Sequence, residues 1–346
     1  MKYYVGNMKK LIIITILLYS LILLAGCCDS LLEPDSDFKR WLCTVNIDGT
    51  DLQYLLKEDG GIFNWVVIPN LDGSKLIGYY NHKIYSMNPD GSGKETLVEY
   101  IDKYFDPEIV MTPEGEMIAF DTILNIYTLN LETKVLKNIT IEDTMRCYTP
   151  SFSSDGQKIC YCTYNADSIT TIHIMDYDGN NKELVYEYVK DDVLPLKNPY
   201  FVDTDDRIIY ISYASDVNGL YSVDINGSNN HRIYEYIVKY SVSHNRLFMV
   251  FSLYDNVYRM NTDGSNLQLL ASTYSYNVAP ITSPNDSLIL YPSTNFTFYV
   301  MNSDGSNKRE VSSMEYDFDY YGYKNYNFRF INNERVIVKL KKWYEA

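Results

Sequence analysis

The 346-residue sequence contains no G-x-S-x-G pentad, no CxxC pair and only four histidines, His82, His173, His231 and His244. The first absence excludes the nucleophile elbow of a serine hydrolase. The second removes the thiolate pairing of a structural zinc site. The histidines stand in widely separated stretches, so convergence on one metal is not expected, and neither a metal, a cofactor nor a catalytic residue is assigned. Positive charge is also scarce: 30 Lys and Arg stand against 45 Asp and Glu, a formal net charge of −15. Residues 1–26 hold Lys2, Lys9 and Lys10 and no acid, so the remainder is more acidic still. Such a surface repels phosphate backbones, which argues against a nucleic-acid partner.

Two apparent motifs fall short of their chemistry. GSGKE at 91–95 has Asn88 where a phosphate loop needs its first glycine and Glu95 where it needs Ser or Thr for magnesium. Asp176-Tyr177-Asp178-Gly179 opens like a calcium loop, but position 185 is Val where an EF-hand needs Glu. Both stretches are expected to be β-turns.

Long apolar runs are missing except for one, LIIITILLYSLILL at 11–24, preceded by Met8-Lys9-Lys10 and followed by Ala25-Gly26-Cys27. A basic start, a short apolar stretch and small residues at its end have the form of a secretory signal, and the run is short for a bilayer span of about 20 residues. Leu24-Ala25-Gly26-Cys27 resembles the bacterial lipobox. That resemblance implies cleavage after residue 26, a lipid on Cys27, a tether over 27–39 and a place in the cell envelope outside the cytoplasm; Met1 and Met8 are alternative starts. Of the other cysteines, Cys28 lies in the tether and Cys43, Cys147, Cys160 and Cys162 in the body. Export admits disulfides, so two readings stand: a bridge between Cys147 and Cys162, or four buried thiols.

What the chain has in abundance is tyrosine, 35 residues, a type that favours strands. It also repeats itself. MNTDGSN at 260–266 and MNSDGSN at 301–307 recur more loosely as VNIDGTD (45–51), MNPDGSG (87–93), MDYDGNN (175–181) and VDINGSN (223–229). Leu129 to Lys134 fills the one double-length gap as a degenerate copy, giving a period of about 42 residues, in the range of a four-stranded propeller blade. An out-of-phase series, including PSFSSDGQKICYC (150–162) and PITSPNDSLILYPS (280–293), has the apolar–turn–apolar form of a second hairpin.

The unit is therefore two hairpins. The body opens at Trp41 to Leu55 with only a second hairpin and closes at Phe328 to Lys341 with only a first. Joined, the halves complete one blade, leave no open edge, and give an all-β, seven-bladed propeller over 40–346. PSFSSDGQKICY followed by IHIMDYDGNNKELV resembles the WD-like repeat of TolB-type propellers over about residues 40–342. That resemblance implies a six-bladed ring as the alternative. It departs at unit three, at Asn226 in unit five and at His244-Asn245 in unit six. The family includes scaffolds, peptidase propeller domains and polysaccharide lyases; a propeller without an added hydrolase domain is the expectation here.

Antiparallel strands place all Asp-Gly turns on one face, which their uniformity marks as structural. The other face carries variable connections rich in Tyr, Asp and Glu. Tyr offers broad apolar contact with a polar tip, so the candidate binding residues are Tyr104, Tyr148, Tyr188, Asp191, Asp192, Tyr236, Tyr276, Tyr320, Tyr321 and Tyr323. Half of the tyrosines in these connections are expected to pack between blades instead. The functional expectation is a monomeric, lipid-anchored binding or scaffold module for an envelope protein or glycan. The alternative is a polysaccharide-active enzyme.

Overall fold

The computed structural model describes residues 38–58, 66–70, 72–101, 107–141, 145–165, 167, 169–189, 196–214, 218–235, 240–272, 279–292, 298–311, 317–318 and 328–343. Among them there is no helix. Six sheets are built from consecutive strands: blade 2 spans 66–98, blade 3 109–138, blade 4 146–189, blade 5 196–234, blade 6 240–272 and blade 7 281–310. Blade 1 is shared. Phe38–Asn46 pairs antiparallel with Arg335–Trp343 along its whole length, from Phe38 opposite Trp343 to Asn46 opposite Arg335. Gln53–Glu58 flanks that pair on one side and Phe328–Phe330 on the other, with a short extra pairing from Asp317–Phe318. The ring has seven blades, and the termini close it.

The first strands of successive blades lie side by side around the centre. Tyr240 of blade 6 completes the circle by donating its hydroxyl to the Asn198 carbonyl of blade 5 at 2.7 Å. Seven apolar clusters fill the seven interfaces between neighbouring blades. Because a strand's alternate side chains point to opposite faces, each blade feeds two of them. Leu42 packs toward blade 2 and Cys43 toward blade 7. The second strands are buried on both faces, as in Ile159 to Cys162 and Ile208 to Ser212. For that reason they read as unbroken apolar runs and not as alternations.

The same geometry decides the cysteines. Cys147 stands opposite Thr163, and it is Tyr148 that stands opposite Cys162. Cys147 therefore faces the blade 3–4 core and Cys162 the blade 4–5 core. The bridge between them is not formed: all four body cysteines are free and buried.

The recurring heptad is a complete hairpin device. In MNSDGSN the Gly305 N–H bonds the Asn302 carbonyl, and the Asn302 N–H bonds the Ser306 carbonyl, both at 2.9 Å. Asp304 Oδ1 accepts the Ser306 N–H at 2.9 Å and Asn302 Nδ2 donates to Ser306 Oγ at 2.9 Å. Gly305 has φ +87° and Asn307 +53°. The final Asn thus recurs for the same reason as the Gly, since Asn is among the few residues that tolerate the left-handed region. Asp51, Gly93, Asn181, Asn229 and Asn266 occupy that place in the sister turns, all at positive φ. Blade 3 turns without Asp-Gly, and there Lys134 takes the positive φ. The turns at Gly91, Gly179, Gly227, Gly264 and Gly305 also lie against the outer strand of the preceding blade or the residue just after it. A Cβ on Gly227 would stand 2.7 Å from the Val185 carbonyl oxygen.

Candidate functional site

The face formed by the second-to-third-strand loops and the blade connections is the one expected to carry the binding residues. Tyr104, Asp191, Asp192, Tyr236, Tyr276, Tyr320, Tyr321 and Tyr323 lie outside the described residues, as do Cys27 and the signal segment. Tyr148, expected on this face, is 3% exposed and donates its hydroxyl to the Leu196 carbonyl at 2.9 Å. It belongs to the blade 4–5 core, where burial also raises its hydroxyl pKa well above the usual phenol range. Tyr188 is half-buried against the same core. The described part of this face includes exposed apolar side chains: Tyr100, Ile123, Leu124, Ile141 and Tyr254 are all exposed, Ile141 by 73% and Tyr254 by 72%. They stand in the loops between second and third strands or in the connections leaving fourth strands.

The turn face is less uniform than its motif suggests. Blades 2, 3 and 4 place Gly73, Gly115 and Gly156 at the positive-φ position of the first turn, whereas blades 5, 6 and 7 place Asp205, Arg246 and Asp286 there. These three side chains reach into neighbouring blades. Asp205 Oδ2 accepts the Ser154 N–H of blade 4 at 2.8 Å and also the Ser154 hydroxyl. Asp286 accepts the His244 and Asn245 N–H groups of blade 6 at 2.7 and 2.8 Å. Burial works to raise the Asp286 carboxyl, but the His244 side chain and those two amides outweigh it and hold it below the usual carboxylate range. Arg246 is 6% exposed. It donates to Asp205 Oδ1 at 2.7 Å, to the Phe201 carbonyl at 3.2 Å and to the Phe152 carbonyl at 3.1 Å, tying blade 6 to blades 5 and 4.

Above these turns a cleft of about 840 Å³ opens across blades 5, 6 and 7. Arg207 borders it but is neutralised, its Nη2 lying 2.5 Å from Asp203 Oδ2. Arg259 also borders it, with its guanidinium 4.1 Å above the Phe248 ring. The acids of the wall are engaged. Asp263 caps Ser265, whose hydroxyl and N–H hold its carboxyl below the usual range, and Asp203 also accepts from Thr262 Oγ1 at 3.2 Å.

The histidines occupy four blades. His82 lies in the loop after Tyr80, His173 stacks on Tyr161 at 5.5 Å, His231 Nδ1 sits 2.7 Å from the Asn229 carbonyl, and His244 Nδ1 sits 3.4 Å from Asp286. Among the described residues no group of three His, Cys, Asp or Glu converges as a metal site. The cleft was absent from the sequence-derived candidates. The signal for it was the set of departures from the Asp-Gly rule in units five to seven, which mark where side chains replace glycine.

Solved structures share this architecture. An oligogalacturonate lyase in complex with manganese superposes with a TM-score of 0.62 at 12% identity, covering 80% of this chain and 88% of the other. The oligogalacturonate lyase of Vibrio parahaemolyticus gives 0.57 at 16%, covering 83% and 88%. The putative TolB of Agrobacterium tumefaciens gives 0.51 at 17%, covering 72% and 95%. At such identities these likenesses speak for the fold alone. No curated protein sequence matches the chain. The profile of the TolB beta propeller domain matches residues 66–322, most of the ring built by the two-hairpin repeat, and the chain belongs to that propeller family.

Proposed function

We propose that this propeller is a lipid-anchored binding module of the bacterial cell envelope that captures a protein or glycan partner on its loop face. The observation that carries this reading is the exposure of Tyr100 and Ile141 in blade connections and of Ile123, Leu124 and Tyr254 in second-to-third-strand loops of the same face. Exposed apolar and aromatic side chains are the usual anchors of a recognition surface. Membrane attachment rests on the lipobox-like Leu24 to Cys27. A polysaccharide-active enzyme is the competing reading, motivated by the fold shared with oligogalacturonate lyases; it requires a convergent acid–base or metal set that this reading does not use.

The test is capture from membranes by the intact lipoprotein, compared with an Ile123→Ser, Leu124→Ser, Ile141→Ser variant. The reading expects a partner recovered by the parent and lost by the variant, with the unfolding midpoint unchanged. Equal recovery by both refutes it. Separately, Cys27→Ser is expected to move the protein out of the membrane fraction.

A further inference from the structure

We propose that the loop face is turned toward the membrane that holds the N-terminal segment, and that its exposed apolar side chains rest in the interfacial zone of a zwitterionic bilayer. The inference deepens the reading above and rests on its membrane attachment, though not on the lipid at Cys27 in particular. Direction comes from the closing strand pair. Asn46 stands opposite Arg335 and opens the Asp-Gly turn, its carbonyl accepting the Gly49 N–H, so it lies on the turn face. Phe38, at the other end of the same strand and opposite Trp343, lies on the loop face. The chain therefore enters the ring from the loop side. Cys27 precedes Phe38 by eleven residues, a reach of about 36–40 Å when fully extended. The strand from Phe38 to Asn46 is itself about 27 Å long, so presenting the turn face to the membrane would spend most of that reach on running back along the blade. Presenting the loop face spends none of it. The apolar run at 11–24 also precedes Phe38 and gives the same direction if it is retained as the anchor.

The loop face has side chains suited to that position. Tyr100 follows blade 2, Ile123 and Leu124 join the second and third strands of blade 3, Ile141 follows that blade, Val189 ends blade 4 and Tyr254 joins the second and third strands of blade 6; all six are exposed. They are spread over four blades. A compact partner gathers its anchors near the centre of one patch, whereas a planar surface meets loop tips all round a ring at once. Tyrosine and aliphatic side chains are types that enter the headgroup boundary. Leu247 and Tyr177 are exposed on the turn face, and the direction of the chain is what separates the two faces. The net charge of −15 repels anionic headgroups, which selects zwitterionic lipid and apolar contact over electrostatic docking. A partner taken on the loop face is then one that reaches it at the bilayer surface.

The experiment reconstitutes the full-length chain, extracted from membranes in detergent, into phosphatidylcholine vesicles holding no other protein and a trace of phosphatidylcholine with a diazirine near its glycerol backbone. Sedimentation reads attachment; irradiation and peptide mass mapping then read which face meets lipid. Cross-links are expected on the loop-face peptides bearing Tyr100, Ile123, Leu124, Ile141 and Tyr254, and not on the turn-face peptides bearing Asp178 and Asp304. The Ile123→Ser, Leu124→Ser, Ile141→Ser variant should sediment as the parent does, keep its unfolding midpoint, and lose about threefold or more of the cross-linking at Tyr100 and Tyr254. Phosphatidylglycerol added to the vesicles should not increase the yield. The proposal is overturned if the turn face is labelled as much as the loop face, if the folded variant labels as the parent does, or if anionic lipid raises the yield. A chain that does not sediment overturns it together with membrane attachment. An unlabelled loop face in sedimenting protein, with capture from native membranes intact, overturns it alone and gives that face to a membrane protein.

Discussion

Arg335 Nη1 lies 2.7 Å from Asp51 Oδ2, joining two residues 284 positions apart. The same guanidinium donates to Asn46 Oδ1 at 3.0 Å, Thr44 Oγ1 at 2.8 Å and the Asp51 carbonyl at 3.0 Å, so one C-terminal side chain grips the whole N-terminal turn. Arg335→Ala is expected to destabilise the ring by about 1–3 kcal/mol through loss of several charge-assisted bonds. Asp51→Asn, which keeps a residue that tolerates the left-handed backbone at φ +52° and removes only the exposed charge, should cost less. Urea unfolding of both variants checks the ranking.

Arg246 predicts a larger loss. Arg246→Met leaves the Asp205 carboxylate without its cation and two carbonyls of blades 4 and 5 unmatched, which should cost about 3–5 kcal/mol. A midpoint within error of the parent would remove Arg246 from the account of how blades 4, 5 and 6 are held.

Glycine at the second turn is required twice over at Gly227, by φ +82° and by the Val185 carbonyl oxygen, 2.7 Å from where a Cβ would stand. At Gly264 the φ of +86° is as demanding, but the nearest atom, Ile233 Cβ, stands farther off at 3.2 Å, so the crowding is milder. Both Ala variants should lose about 1–2 kcal/mol for the left-handed backbone, with Gly227→Ala the worse of the two in thermal unfolding.

The turn aspartates tie stability to acid. Hydroxyl and backbone donors at Thr50, Ser92, Ser265 and Ser306 hold Asp48, Asp90, Asp263 and Asp304 below the usual carboxylate range. A carboxyl with a depressed folded pKa stabilises above its unfolded pKa and loses that contribution as pH falls through the folded value. Stability from these groups is therefore present at neutral pH and declines below about pH 4. A fourfold Asp→Asn variant keeps the turn bonds, as Asn226 does with Ser228 at 2.9 Å. Its acid-unfolding midpoint should move to lower pH.

Burial pushes the Cys43 and Cys162 thiols up to about 12 and Cys160 well above the usual thiol range. The thiolate is the reactive form. Folded protein at pH 8 should leave Cys43, Cys147, Cys160 and Cys162 unlabelled by maleimide, and denatured protein should label all four; peptide mass mapping reads each site.

The ring was legible in the sequence because its turns repeat a chemical requirement. Gly and Asn at fixed offsets mark backbone at positive φ, and the unmatched hairpins at either end fixed the blade count. Tyr148 was misplaced because strand and loop tyrosines look alike in one dimension; its direction depends on a register that a bulge between Tyr148 and Ser151 shifts. The same bulge separates the faces of Cys147 and Cys162. The cleft escaped notice because it is assembled from three blades, and no local stretch spells it out.

The most direct measurement is a disulfide across the closing pair. Cys43 stands opposite Val338, both buried in the blade 1–7 core, while Ile337 points to blade 2. Directly opposed antiparallel residues lie within disulfide reach. With Cys27 and Cys28 replaced by Ser, Val338→Cys refolded under oxidising conditions, while the thiols are still accessible, should join native Cys43 in an intramolecular bridge, and Ile337→Cys should not. A bridge from position 337, or none from 338 in folded protein, would contradict closure of the ring by its two ends.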